Sequence, residues 1–172
     1  MMPLAKWKAW LITIAAIVVL SAGAIFMALY NNLNTEWKYQ RQAAQIALNE
    51  SPVLHITSHS VFTDTVQEEV FSGTDAFGTQ WYAFVSGPPW KVHAVRTKSV
   101  LKQAQVKAIA AKAGVHPISM HLGYLNGQHH SAVTASSQVV WEIYGTSDTG
   151  KRLYLYLNGE TGKQLWKYVL ST

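Results

Sequence analysis

Phe71-Ser-Gly-Thr-Asp-Ala-Phe-Gly-Thr-Gln-Trp-Tyr-Ala-Phe-Val85 overlies Ile143-Tyr-Gly-Thr-Ser-Asp-Thr-Gly-Lys-Arg-Leu-Tyr-Leu-Tyr-Leu157 when the chain is slid against itself by 72 residues. Four of the fifteen positions coincide: Gly73 with Gly145, Thr74 with Thr146, Gly78 with Gly150 and Tyr82 with Tyr154. The apolar positions agree as well. Each stretch reads as strand, glycine-containing turn, strand, which is a β-hairpin. A self-match at a fixed offset signals two copies of one unit. It predicts that Gly73 and Gly145, and likewise Tyr82 and Tyr154, occupy equivalent places. Trp81 and Leu153 should face away from those tyrosines, because strand side chains alternate.

Each hairpin has a helical stretch upstream. Asn34 or Thr35 can cap a helix from Glu36 to about Asn49, closed by Pro52, with Ala43, Ile46 and Ala47 on one stripe and Trp37, Ala44 and Leu48 beside it. Thr97 can cap a second helix from Lys98 to Ala113, with Gly114 at its C-terminal cap and Leu101, Ala104, Ala108 and Ala111 as its apolar face. A first strand lies between helix and hairpin, at 53–62 and 115–125. A last one follows the hairpin, at 90–95 and 163–170. The pattern α-β-β-β-β, twice, predicts an α+β fold with a helix on one face of each antiparallel sheet. Gly127 to Ser137, polar and longer than its counterpart, reads as a mobile connection.

The N-terminus has a different character. No charged side chain occurs from Ala9 to Thr35, and Leu11 to Leu29 contains only Thr13 and Ser21 as polar side chains. About 20 apolar residues cross a bilayer core. Lys6 and Lys8 precede the span, so the positive-inside rule keeps the N-terminus in the cytoplasm and exports the remainder. Trp7 and Trp10 on one side, and Tyr30 and Trp37 on the other, suit the interfacial belts. A cleaved signal peptide ending at Ala22-Gly23-Ala24 is the competing reading. It would leave the apolar Ile25 to Leu29 as a tail, and the span length favours an uncleaved anchor. The expected organisation is a cytoplasmic tail (1–8), a transmembrane anchor (9–30), a first module (31–95) and a second module (96–172).

Composition removes several chemistries. The 172 residues include no cysteine, which excludes disulfides, thiol catalysis and thiolate metal sites. Ser99-Val-Leu-Lys102 matches the S-x-x-K of serine acyl-transferases, but the companion Ser-Asp-Asn is absent and Thr161-Gly162-Lys163 has the wrong order. The pair reads as two polar positions opening a helix. The seven histidines include His55 and His59, four apart on one predicted strand, His116 and His121, and the adjacent His129-His130. No H-E-x-x-H or equivalent convergent set occurs, so no metal site is assigned. Glu68 and Glu69 are adjacent and point to opposite faces of a strand, which is poor for paired acid–base work. No catalytic residue, metal or cofactor is expected.

Charge is distributed unevenly. Residues 36–90 carry two Lys/Arg against six Asp/Glu, a net of −4, whereas residues 91–172 carry ten against three, a net of +7. Arg96 precedes the second helix, and Lys98, Lys102, Lys107 and Lys112 are placed along it. With 20 aromatic residues in the chain, this basic face and an exposed aromatic near it suit a docking surface. Arg96, Lys98, Lys102 and Trp90 are the candidate partner-binding residues. Nucleic acid is not expected of an exported, anchored protein.

The second half also carries Leu153-Tyr-Leu-Tyr-Leu-Asn158-Gly-Glu160-Thr161-Gly162-Lys-Gln-Leu-Trp166, a strand, an acidic Thr-Gly turn and a strand, behind an alanine-rich helix ending at Gly114. This resembles the PepSY domain. The first copy is degenerate, lacks the Thr-Gly turn and ends Gly87-Pro-Pro-Trp90. With the short tail and single anchor, the arrangement resembles the TseB-like (YpmB-like) proteins of Gram-positive bacteria over essentially the whole chain. That resemblance implies two cystatin-like (PepSY-like) modules after a transmembrane helix. It also implies a non-enzymatic, extracytoplasmic regulator of cell-wall elongation that acts on a penicillin-binding protein at the cell membrane. An anionic cell-wall polymer is a further candidate partner for the basic half. The alternative function is a PepSY-type inhibitor or modulator of an exported peptidase.

Overall fold

The computed structural model describes residues 4–63, 66–125 and 138–170. The chain forms two units, Met1–Gln42 and Ala43–Thr172. The described residues of the first, from Leu4 on, are helical. Its helix, α1 (Leu4–Glu50), continues through Gln42 into the second unit. Along the apolar stretch, side chains on every side are exposed, Ile12, Leu20 and Phe26 each by about 70%. A helix that is apolar all round and unburied suits a lipid surround. Its two polar side chains return to the helix: Thr13 Oγ1 donates to the Ala9 carbonyl (3.0 Å) and Ser21 Oγ to that of Ile17 (2.7 Å). Among the described residues one helix, this one, is long and apolar enough to cross a membrane.

The expected break between anchor and first helix is absent. Thr35 does not cap a new helix; its hydroxyl donates to the Asn31 carbonyl four residues back, at 2.9 Å. No proline or glycine interrupts residues 24–50, so nothing stops propagation once the helix has started. Pro52 lies just beyond the observed end, where Ser51 N–H donates to the Ala47 carbonyl.

Residues 43–172 carry two four-stranded antiparallel sheets, each in sequential order. The first contains β1 (His55–Thr63), β2 (Gln67–Thr74), β3 (Gln80–Ser86) and β4 (Lys91–Arg96). The second contains β5 (Val115–Leu125), β6 (Gln138–Ser147), β7 (Arg152–Asn158) and β8 (Gln164–Val169). Between them lies α2 (Gln103–Lys112). The architecture is α+β, as expected. Residues 127–137, expected as a mobile connection and including His129 and His130, lie outside the described residues.

The repeat is visible in the register. Gly73 pairs with Trp81 as Gly145 pairs with Leu153, and Ser72 with Tyr82 as Tyr144 with Tyr154. Both glycines lie opposite a bulge in the neighbouring strand, between Ile56 and Ser58 in β1 and between Pro117 and Ser119 in β5. The bulge pushes a carbonyl at the glycine. A Cβ on Gly73 would stand 2.3 Å from the His55 oxygen, and one on Gly145 2.3 Å from that of His116. Gly78 and Gly150 both take positive φ, 76° and 79°, in the hairpin turns.

Each sheet buries one face under a helix. Ala43 and Ala47 of α1 pack with Phe71, Ala83 and Val85 of the first sheet, with Trp81 at the margin. Val106 and Ala110 of α2 pack with Ile143, Leu153, Leu155 and Leu157 of the second. The predicted face of α2 requires correction: Ala104, Ala108 and Ala111 are exposed. The buried stripe is Val106 and Ala110, with Ile109 and Ala113 beside it, at the spacing that keeps one side of a helix inward. On the far side of the first sheet, Phe62, Val70 and Phe84 join the core of the second, and Tyr82 packs there too. Tyr82 and Trp81 thus face opposite ways, as alternation demands.

Candidate functional site

The segment between the sheets departs from the sequence reading, and the departure shapes the site. The helix predicted from Lys98 to Ala113 begins only at Gln103. Thr97–Ser99 form a single 3₁₀ turn, and Val100 and Lys102 are extended. Thr97 does not cap a helix; its hydroxyl donates to the Gln80 carbonyl at 3.2 Å. The cause is tertiary. Val100 is buried, Leu101 N–H donates to the Gly159 carbonyl (2.8 Å), and the Leu101 carbonyl accepts from Trp141 Nε1 (3.1 Å). Helical dihedrals would forfeit these bonds. Lys102 becomes the N-cap of α2, and its N–H donates to Gln105 Oε1 at 2.9 Å.

Lys98 and Lys102 therefore flank an extended segment rather than decorating a helix. Lys107 and Lys112 do lie on α2. Together with Tyr82, Thr57, Ser72 and Thr97, Lys98 and Lys102 line a cleft of about 320 Å³ against the first sheet. A second cleft of about 270 Å³ adjoins it, sharing Ser72 and Tyr82. Thr57 Oγ1 donates to the Ser72 carbonyl (3.1 Å), and the Ser58 and Ser72 hydroxyls are 2.8 Å apart. Burial pushes the Tyr82 hydroxyl pKa up from its ordinary value, so the group stays a protonated donor.

The other candidates lie elsewhere. Arg96 shares a face with its cross-strand neighbour Trp81, and its guanidinium carbon sits 5.3 Å from the centre of that ring. The Trp81 indole N–H donates to Asp75 Oδ2 at 3.0 Å, which with the Thr79 and Phe77 backbone N–H groups holds the Asp75 carboxyl below its usual pKa. This is the face opposite Tyr82. Trp90 is half-buried against the first sheet's core, and a side chain on Gly87 would strike it. It lies at the far end of β4 from Arg96, on the order of 15–20 Å away at strand rise. The structure brings Lys98 and Lys102 together, and Arg96 together with Trp81; it does not bring Trp90 to either.

Two residues gain importance that the sequence reading denied them. Glu68 and Glu69 point apart, as alternation requires, yet both are buried, at 4% and 0% exposure. Glu68 Oε2 accepts from the Tyr124 N–H at 2.7 Å and so ties the first sheet to the second. Glu69 accepts from Gln67 Nε2 at 2.9 Å and contacts His59 Nε2. Buried carboxylates demand such partners. The only local signal was a pair of acids inside a strand pattern, and their partners lie up to 56 residues away.

The catalytic motif does not assemble. Ser99 Oγ donates to the Arg96 carbonyl at 2.8 Å, and no helical turn sets Lys102 beside it. His116 Nε2 contacts Asp148 Oδ1 at 2.8 Å, and His93 stacks on Tyr124 at 4.1 Å between ring centres. Among the described residues no three His, Asp or Glu side chains converge as a metal set. The Thr-Gly turn is compact: Asn158 Oδ1 accepts from the Glu160 and Thr161 N–H groups, and Gly162 takes φ 73°. A Cβ on Gly162 would stand 2.6 Å from Ile109 of α2, so the turn lies directly against the helix.

No family model and no curated protein sequence matches the chain. Among solved structures, the YpmB protein from Bacillus subtilis superposes with a TM-score of 0.64 at 21% identity, covering 76% of this chain and 96% of that one. The fold is YpmB-like. At this identity the likeness is one of fold.

Proposed function

We propose that the chain is a membrane-anchored, non-enzymatic regulator of cell-wall elongation, working outside the cell through contact with a penicillin-binding protein. The observation that carries this reading is the YpmB-like fold following a helix long enough to span a bilayer. It agrees with the TseB-like resemblance of the sequence, and the compact Asn158–Gly162 turn supports the finer PepSY assignment. Lys6 and Lys8 ahead of the span support a cytoplasmic N-terminus and an exported body. The cluster of Lys98 and Lys102 is the docking patch.

Crosslinking the full chain in intact membranes, followed by capture, tests the reading. A transpeptidase among the crosslinked partners supports it; capture of an exported peptidase alone replaces it with the peptidase-modulator reading. Lys98→Glu with Lys102→Glu should weaken capture about tenfold while changing stability by less than about 0.5 kcal/mol, because both side chains are exposed. Undiminished capture would move the docking patch to the acidic half of the chain.

A further inference from the structure

The cleft beside Tyr82 is electrostatically one-sided. Lys98 and Lys102 line it and no Asp or Glu does. Among the described residues neither lysine makes an ion pair. Lys102 also stands at the N-cap of α2, whose first turn holds no acidic residue. A cation there opposes the helix dipole, and Ser, Thr, Asp or Asn is the usual occupant. Local rules are broken in this way where a site needs the residue. Tyr82 adds a half-buried hydroxyl that makes no hydrogen bond among the described residues.

The adjoining cleft differs in chemistry. Ser58, Ser60 and Ser72 bring hydroxyls to it, with Val70, Leu122 and Trp141 buried beneath. The hydroxyls of Ser58 and Ser72 bond one another, and each retains capacity for a further bond.

We propose that the joined clefts bind a phosphate ester of a hydroxyl-rich group, with Lys98, Lys102 and Tyr82 on the phosphate oxygens and the serines on the polyol. Phosphate fits better than carboxylate because three separate donors, two of them point charges, line the same cleft. A planar carboxylate is matched by the guanidinium fork, and Arg96 stands on the opposite face over Trp81. The same polyol-phosphate chemistry occurs in anionic polymers and in phospholipid headgroups. The site shares Lys98 and Lys102 with the docking patch proposed above, and the titration reads phosphate binding with no protein partner present, so either reading can fail alone.

The test is calorimetric titration of the full chain in neutral-detergent micelles with glycerol 1-phosphate, using glycerol and a glutamate-rich peptide as controls. Saturable binding of glycerol 1-phosphate, and none of glycerol, is expected. Lys98→Gln with Lys102→Gln should weaken it by about tenfold or more. Tyr82→Phe should weaken it by about three- to tenfold, the worth of one hydrogen bond. Lys98 is exposed, so Lys98→Gln alone preserves the test if the double variant melts early. Repetition in nanodiscs distinguishes the two sources. Binding lost in phosphatidylglycerol but kept in phosphatidylcholine assigns the headgroup, and binding kept in both assigns a polymer. The proposal fails if the parent chain does not bind, if Tyr82→Phe binds equally well, or if the acidic peptide binds as tightly with the same sensitivities.

Discussion

In the first sheet Val70 and Phe84 turn away from α1 and are buried, at 3% and 0% exposure, in the core of the second sheet. The corresponding positions of the second sheet, 72 residues on, hold Glu142 and Tyr156, both half-buried, with the Tyr156 hydroxyl donating to Glu142 Oε2 at 2.5 Å. Around them Tyr144, Tyr154, Trp166 and Tyr168 form a continuous row of ring contacts. Backbone register and glycines are shared, so the repeat dictates how each sheet is made. What lies against the sheet dictates whether a position is apolar or amphipathic. An internal face takes Val and Phe; a face on which no sheet of the described residues packs takes tyrosines, which expose a polar rim over an apolar body.

The largest effect that tests this comparison is Phe84→Ala, expected to cost about 3–5 kcal/mol of unfolding free energy by leaving a cavity in the shared core. Denaturant unfolding of the full chain in micelles measures it. Next come the bulge glycines. Gly73→Ala and Gly145→Ala should each cost about 2–3 kcal/mol, because each new Cβ meets a backbone oxygen that cannot yield. Equal losses sharpen the repeat, and a silent substitution at either position breaks it. Tyr156→Ala should cost only about 1 kcal/mol. A loss matching that of Phe84→Ala would mean that the second sheet's outer face is as much a core as the first's.

The smallest effect is one of pH. Asp75 and Ser147 hold the same place in the two hairpin turns. Ser147 Oγ accepts from the Lys151 N–H at 3.2 Å where Asp75 Oδ1 accepts from Thr79 N–H at 2.8 Å. Hydrogen bonding from Trp81 lowers the Asp75 pKa. A lowered folded-state pKa contributes stability above the unfolded value, and that contribution fades as pH falls through the folded one. The first turn should therefore loosen in acid while the second does not. The Trp81 indole N–H resonance should report the transition, and Asp75→Asn should abolish it. An identical acid response from both turns would remove the distinction.

Strand alternation, turn glycines and the two hairpins were legible because their signals are local. The stripe of Ala43 and Ala47 was legible for the same reason. The second helix starts later than its local pattern predicts because Val100 and Leu101 are held near Gly159 and Trp141, residues distant in sequence. Its apolar face differs from the predicted one because alanine at Ala104, Ala108 and Ala111 reports helix propensity rather than burial. For the candidate site, Lys98 and Lys102 were found from charge. Their cleft partner Tyr82 was known only as a repeat position, since nothing in a strand pattern says what its exposed face will meet.

By itself the sequence determined the apolar N-terminal helix, the doubled hairpin and the matching places of its glycines and tyrosines, because hydropathy, period-two alternation and glycine act over a few residues. Only the tertiary structure decided that α2 begins at Gln103 rather than at Lys98 and that Glu68 reaches the Tyr124 backbone. It also decided that Arg96 and Lys98, two residues apart, serve opposite sides of the first sheet. Those outcomes depend on groups brought together by folding. Burial and hydrogen bonding between distant segments outweigh the few tenths of a kcal/mol by which local propensities differ.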